Sequence, residues 1–365
     1  MKVIVYCSSM SAAGGTERVV AKHIEFLADD NHVTLMTKDN CNSFYSLPTE
    51  IQKKSLHIDF FLNMNSRLSR VLKIISTFIS TIKSLRKALR EIRPEVVYVA
   101  SPLNLLEVYL TGFQSRRIAV TEHASFGAYN KIYKMIIACL YPRVGLLIVP
   151  TKLDSSGYTR KGIKNFYLPN PLSFNNREVS DQRQKVALSV GRLTADKRHD
   201  LLIEIWHLSG VHLKGWKLRI IGKGECEFDL RRKIDALGLS ASVTLEKPTT
   251  KIEDEYMNSS IFLLTSRAEG FGLVLIEAMA FGVPCVSFDC PSGPRDIIDD
   301  NLTGRLIDEG DIDGYVEALQ QLASNHFRRL EFGRNARMSV NRFQAEKVRS
   351  EFIKLFNQAF KSALI

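Results

Sequence analysis

The chain has 365 residues, 45% hydrophobic and 24% charged. That is the composition of a folded globular protein and, at about 100–200 residues per domain, of two domains; it excludes a disordered or low-complexity chain, and no run approaches the roughly 18 apolar residues of a spanning helix. The net charge of +11 lies wholly in residues 1–170, while 171–365 are balanced, which points to two units facing different partners.

Met1 and Lys2 lead straight into VIVYC, read as a first buried strand and not as a secretory segment. Gly14 and Gly15 follow, just ahead of a helical stretch at 16–29. A Gly-rich turn there lets a ligand touch backbone, and Thr16 is placed to cap the helix. After the strand HVTLMT comes the segment 67–93. Its residues Leu68, Val71, Leu72, Ile75, Phe78, Ile79, Ile82, Leu85, Leu89 and Ile92 recur at helical spacing among eight basic residues, with Glu91 as the one acid. Two readings fit: a basic amphipathic helix suited to an anionic membrane, with Lys83, Arg86, Lys87, Arg90 and Arg93 facing the lipid, or a core helix with a solvated basic face. No nucleic-acid-binding motif is present.

VVYVA, RIAVTE and GLLIVP are three more strands, and Glu122 and His123 stand at the end of the second. The apolar stretch 135–150 is interrupted by Pro142 and Arg143. A polar segment, 168–184, marks the expected domain boundary. Beyond it the strands KVALSVG, KLRIIG, SVTLE, IFLLTS and PCVSFD alternate with helical stretches at 198–209, 228–238 and 272–281. Continuous apolar strands alternating with helices imply parallel sheets covered on both faces. The expected architecture is α/β: two doubly wound, Rossmann-like domains facing across a cleft, with ligands at the carboxyl ends of strands. The boundaries are 1–170, 171–345 and a last segment, 346–365, forming a helix that packs back on the first domain. Six cysteines without CxxC spacing read as reduced thiols, not a zinc site.

Several loops carry chemistry. Arg192 and Lys197 follow the strand KVALSVG. Gly222 opens GKGECE, which begins like a dinucleotide fingerprint but has Glu227 where the third glycine belongs, against a dehydrogenase. Glu269, Gly270, Phe271, Gly272 and Leu273 join the strand IFLLTS to a helix holding Glu277. A helix start offers free N–H groups to phosphate, while carboxylates accept from sugar or ribose hydroxyls. Amides and acids together suit a nucleotide-sugar. The DID at 311–313 imitates a metal-binding Asp-x-Asp, but Asp311 is placed to start a helix.

The E-x7-E pattern with EGFG and EAMAFGVPCVSFD resembles the signature of retaining glycosyltransferases of family 4, of bacterial surface-polysaccharide type and GT-B fold. SVGRLTADKRHDLLIE, RIIGKGE, SSMSAAGGTERVV and TEH resemble other segments of that family in the same order. The resemblance implies a UDP-sugar donor, no essential metal, and Arg192 and Lys197 at the leaving diphosphate. It places Glu269 and the amides of residues 270–272 at sugar and phosphate, Glu277 at the ribose, Gly14 and Gly15 at sugar and diphosphate, and His123 at the sugar or the acceptor. The activity implied is hexosyl or N-acetylhexosaminyl transfer with retention to a carbohydrate or undecaprenyl-diphosphate-linked glycan, for O-antigen, capsule or a related polymer. The location implied is cytoplasmic, peripheral on the inner membrane. Alternatives are a GT-B epimerase or hydrolase, which needs no acceptor, and a non-catalytic nucleotide-sugar binder.

Overall fold

A computed structural model of the chain describes residues 1–58, 67–174 and 183–361; the side chains of residues 67–71, including Leu68 and Val71, lie outside the description, as do residues 175–182 of the expected boundary segment. The chain separates into two compact units, Met1–Pro171 with Glu346–Ile365, and Leu172–Ala345.

The first unit holds β1 (Lys2–Cys7), β2 (His32–Thr37), β3 (Gln52–Ser55), β4 (Val96–Val99), β5 (Ile118–Thr121), β6 (Leu146–Val149) and β7 (Phe166–Tyr167). The second holds β8 (Val186–Val190), β9 (Lys217–Ile221), β10 (Val243–Glu246), β11 (Ile261–Leu264), β12 (Cys285–Phe288) and β13 (Gly304–Ile307). The sheets run β3-β2-β1-β4-β5-β6-β7 and β10-β9-β8-β11-β12-β13, with every named strand pair parallel. All ten expected strands are present. In each sheet the strand order reverses once, at β1/β4 and at β8/β11, and such switch points open a crevice for ligands.

Alternation along the central strands shows why they are apolar throughout. Ile261 and Leu263 join one core with Trp206 and Leu319. Phe262 and Leu264 join another with Ile276 and Phe281. Successive side chains of β11 thus enter opposite cores, so both faces of the sheet are covered.

Helix termini are set locally. Ser101, Thr151 and Asp311 each accept a backbone N–H three residues on, from Asn104, Asp154 and Gly314, which satisfies a donor the helix leaves open. Asp311 is therefore a helix cap. Thr16 is not: the first helix is Gly15–Ala28, and Gly14 takes the cap position in extended conformation, its carbonyl accepting Arg18 N at 3.1 Å.

The amphipathic stretch forms one helix, Arg67–Ile92, with a burial pattern unlike the expected one. Thr77, Thr81, Leu85, Ala88 and Leu89 face inward, whereas Leu72, Ile75 and Ile79 are exposed. The buried side is set by the spacing 77, 81, 85, 88, and it passes through two threonines. Thr81 remains compatible with burial because its hydroxyl donates to Thr77 O at 2.8 Å. The last helix, Ala345–Phe360, groups with the first unit. Its Phe352 stacks on His23 with ring centroids 4.4 Å apart, and Arg349 pairs with Asp29. The six cysteines are free thiols.

Candidate active site

In the second unit the chemistry-bearing loops converge on the switch point. The loop after β8 carries Arg192 and Lys197; the loop after β11 carries Glu269. Arg267 N donates to Asp196 O at 2.8 Å, and Thr265 Oγ1 donates to the carbonyls of Lys197 and Arg198 at 3.2 and 3.0 Å, so the two loops are laced together through backbone. Lys197 Nζ meets Glu269 Oε1 at 2.7 Å with 17% and 10% of the side chains exposed, and Ser266 Oγ donates to the same oxygen at 2.6 Å. Arg192 is different. Its side chain is 69% exposed and lies 3.8 Å from Asp196, a surface pair of little stabilising worth. It is a cation held at the rim and open to an anionic partner.

Glycines let the loops approach. A Cβ at Gly222 would lie 1.9 Å from Gly191 O, and one at Gly224 would lie 2.2 Å from Leu193 O. The Gly-x-Gly turn after β9 therefore packs against the loop bearing Arg192, an approach that a Cβ at Gly222, the glycine expected to bind the nucleotide-sugar, would block. Gly272 sits at φ 96° before the helix Leu273–Ala280, a conformation that suits glycine. Phe271 is buried, edge-on to Phe343 at 5.6 Å. Only the backbone of this turn is available to a ligand. The amide of Glu269 is already engaged, donating to Pro291 O at 3.0 Å.

Glu277 is buried in that helix and accepts from Tyr256 Oη at 2.8 Å. Tyr256 comes from the helix Ile252–Asn258 and stacks on Phe281; nothing in the sequence near Glu277 signals it. His199 also went unrecognised in the sequence. It opens the helix His199–Ser209, is buried behind Gly191, and its Nδ1 has no hydrogen-bond partner among the described residues. Burial holds its pKa down at about 4, so the ring is neutral near pH 7.

In the first unit, Gly14 and Gly15 lie beyond β1 at the start of a helix, and His123 lies beyond β5. Burial pulls the His123 pKa down to about 4, and its Nε2 is 2.9 Å from Thr121 Oγ1. Beside it, burial pushes the Glu122 carboxyl up to about 7, against hydrogen bonds donated by Tyr129 at 2.9 Å and by Tyr141. Glu122 is thus committed to a tyrosine cluster. Along the helix Arg67–Ile92, Lys83, Arg86, Lys87, Arg90 and Arg93 are all exposed. Arg86 also has a structural task, donating Nε to Thr111 O at 3.0 Å and Nη2 to Leu110 O at 2.9 Å, where it satisfies carbonyls at the end of the helix Pro102–Leu110. Among the described residues no group of three His, Cys, Asp or Glu stands close enough together to hold a metal ion.

Two parallel doubly wound sheets, each with one switch point and the second with its charged loops gathered there, are the architecture of a GT-B glycosyltransferase. Residues 173–358 match the family described as glycosyl transferases group 1, and the chain belongs to that family. It is 28% identical to the amylovoran biosynthesis glycosyltransferase AmsD of Erwinia amylovora, over 92% of this chain and 93% of the relative. It is 24% identical to a Campylobacter jejuni α-1,4-N-acetyl-D-galactosaminyltransferase named for a diNAcBac-PP-undecaprenol-linked acceptor, over 97% and 98% of the two chains. Among solved structures, Staphylococcus aureus TarM in complex with UDP superposes with a TM-score of 0.80 at 16% identity, over 98% of this chain and 99% of that one.

Proposed function

We propose that this glycosyltransferase moves a hexosyl or N-acetylhexosaminyl group from a UDP-sugar to a lipid-linked glycan, with retention, in the assembly of a bacterial surface polysaccharide such as O-antigen or capsule. The observation that carries the reading is the Lys197–Glu269 pair at the β8/β11 switch point, with Arg192 open beside it. Lys197 and Arg192 neutralise the charge that grows on the departing diphosphate, the kind of electrostatic help that contributes most to catalysis. Glu269, released from Lys197 as the diphosphate takes its place, accepts from sugar hydroxyls. The turn at residues 270–272 and the helix start at Leu273 offer amides to phosphate, and Glu277 accepts from the ribose. In the first unit, Gly14 and Gly15 give backbone contact to the sugar and diphosphate, and His123, a neutral ring, hydrogen-bonds the transferred sugar or the acceptor. The acceptor hydroxyl attacks the anomeric carbon on the face from which UDP departs. Its proton passes to the leaving phosphate oxygen, so the new bond keeps the donor's configuration and no metal is required. The names of the Erwinia and Campylobacter relatives support the biological setting.

The test is a thermal-shift panel of UDP- and GDP-sugars, since a ligand that binds the folded state raises its stability. Assays of transfer to undecaprenyl-diphosphate-linked glycans, with and without EDTA, follow. A UDP-sugar should stabilise the protein and be consumed only when acceptor is present, in EDTA as without it. Donor turnover without acceptor would identify an epimerase or hydrolase instead, and binding without turnover a non-catalytic binder. Full loss in EDTA, restored by Mg²⁺, would overturn the metal-free assignment.

A second observation bears on location. Leu72, Ile75 and Ile79 continue into Lys83, Arg86 and Arg90 at steps of three and four residues, so they form one exposed stripe, apolar in its first half and basic in its second, with Arg93 exposed just past the helix end. No helix among the described residues is long and apolar enough to cross a membrane. Such a stripe fits peripheral attachment to the anionic cytoplasmic face of the inner membrane, where lipid-linked acceptors are held.

A further inference from the structure

A buried chain of hydrogen bonds runs through the first unit and ends at His123. It starts at His23 on the helix Gly15–Ala28, whose Nδ1 is 2.8 Å from Tyr98 Oη on β4. Tyr98 Oη is 2.6 Å from Thr121 Oγ1 on β5. Thr121 Oγ1 is 2.9 Å from His123 Nε2. His23, Tyr98 and Thr121 are all buried, so water does not break the sequence. The His23 ring is itself fixed in plane by Phe352, which stacks on it from the last helix. Among the described residues His123 makes no other side-chain hydrogen bond.

Proton counting constrains this chain. Three hydrogen bonds need three protons, and each hydroxyl supplies one. The third must come from one of the two facing imidazole nitrogens, His23 Nδ1 or His123 Nε2. Two protonated nitrogens would leave one of the hydroxyl protons without an acceptor in the chain, and two bare ones would leave a buried bond unmade; either is costly. Burial keeps both rings neutral, with pKa values pulled down to about 3 for His23 and about 4 for His123, so each carries a single N–H. If His23 Nδ1 holds its proton, His123 Nε2 accepts and its Nδ1 becomes a donor. If His23 Nδ1 is bare, His123 Nδ1 becomes an acceptor.

We propose that His23 is a positioning residue for His123: through Tyr98 and Thr121 it fixes the rotamer and the tautomer that His123 presents to the sugar or acceptor. This rests on the substrate-facing role given to His123 above. It also assigns a function to the docking of the last helix on the first unit, because Phe352 holds the far end of the relay.

The experiment uses the whole chain labelled with ¹⁵N-histidine, the eight histidines being assigned by substitution, alongside kinetics with the UDP-sugar and undecaprenyl-diphosphate-linked glycan that the panel and transfer assays select. Wild type should show one of the two facing nitrogens protonated and the other bare. Tyr98→Phe keeps the ring and removes the link. It should give His123 a mixture of tautomers and lower kcat about 10- to 100-fold, the scale on which small misplacements of a reacting group act, with UDP affinity unchanged. His23→Phe should do the same. His23→Asn, which puts an amide near the position of Nδ1, should recover most of the loss, and a packing role alone would not produce that rescue. Facing nitrogens that are both protonated or both bare would overturn the relay, as would a His123 tautomer unmoved by Tyr98→Phe. His123→Ala separates the two claims. Full turnover in that variant removes the substrate-facing role, and the positioning role with it, while the spectrum still decides whether the tautomers are coupled. An inactive His123→Ala beside a Tyr98→Phe of unchanged kcat overturns the relay alone.

Discussion

The two sheets reverse direction at matching places, yet they do opposite things with charge there. At the switch point of the first unit, Glu107 is 1% exposed and receives Tyr6 Oη at 2.8 Å, Asn104 Nδ2 at 3.2 Å and Lys38 Nζ at 2.6 Å. Asn104 also donates to Ser8 Oγ at 3.2 Å, beyond the end of β1. This cluster is satisfied from within. In the second unit the corresponding loops leave Arg192 69% exposed beside the Lys197–Glu269 pair, whose side chains are 17% and 10% exposed. Topology supplies the crevice in both units, and side chains decide whether it is filled from within or left for a substrate. The two lysines are equally covered, 18% exposed for Lys38 and 17% for Lys197; the acids differ, Glu107 at 2% with Tyr6, Asn104 and Lys38 donating to it and Glu269 at 10%.

The largest expected effect tests the open site. Lys197→Ala should lower kcat by about 10²-fold or more, the scale measured for lost electrostatic groups, with little change in thermal stability. Wild-type turnover would mean that the second switch point is as structural as the first. The mirror experiment is Glu107→Ala. It strands Lys38, Tyr6 and Asn104, and should cost about 3 kcal/mol of stability in urea unfolding, the low end for breaking a buried pair because Lys38 is partly exposed. UDP binding by the folded protein should be unchanged. A loss of UDP affinity without loss of stability would give the first switch point a ligand role as well.

This contrast was only half legible in the sequence. Arg192 and Lys197 stand close together in one loop, and Glu269 and Glu277 in another loop and its helix, so each short pattern can be read, although the Lys197–Glu269 pairing itself spans 72 residues. Glu107 sits in the middle of an ordinary helical run, and its partners Tyr6 and Lys38 are 101 and 69 residues away. The relay from His23 is equally dispersed, with 75 residues between His23 and Tyr98. Strands show the same rule. The three that sequence reading missed, β3, β7 and β13, are all sheet edges. An edge strand buries less of itself, so QKKS in β3 and the two residues of β7 need no apolar run. Central strands are covered on both faces, and their Val, Ile and Leu runs are unmistakable. The inward turn of Thr77 and Thr81 escaped notice because a threonine in an amphipathic pattern counts as polar, although its hydroxyl can be satisfied within the helix.

A smaller effect is expected at Glu277. The Tyr256 hydroxyl already holds one of its oxygens, so the carboxylate is fixed in place before any ribose arrives. Glu277→Gln keeps the shape and weakens a charge-assisted bond, at a cost of about 2 kcal/mol. Calorimetry should show UDP binding weakened by about 30-fold, since 1.4 kcal/mol is a factor of ten. Unchanged UDP affinity with lost transfer would move Glu277 from nucleotide binding to catalysis, and the two switch points would then differ in a second respect.

The smallest effect belongs to the face of the first unit that carries the excess charge. Arg90 lies on the exposed stripe and, among the described residues, makes no ion pair of the kind that ties Glu91 to Lys54. Each Lys or Arg near an anionic surface contributes about 1 kcal/mol, and the attraction is screened over roughly 10 Å at 0.1 M salt. Arg90→Gln should therefore weaken binding to anionic vesicles by about 5-fold at low salt and leave UDP binding untouched. Arg86→Gln should cost stability too, because Arg86 holds the carbonyls of Leu110 and Thr111. Ile75→Ser and Ile79→Ser, on the apolar half of the stripe, should reduce vesicle binding in a manner that salt does not reverse, since burial of apolar surface is not screened. A wild-type protein that ignores anionic vesicles at low salt would show that the stripe is a solvated helix face.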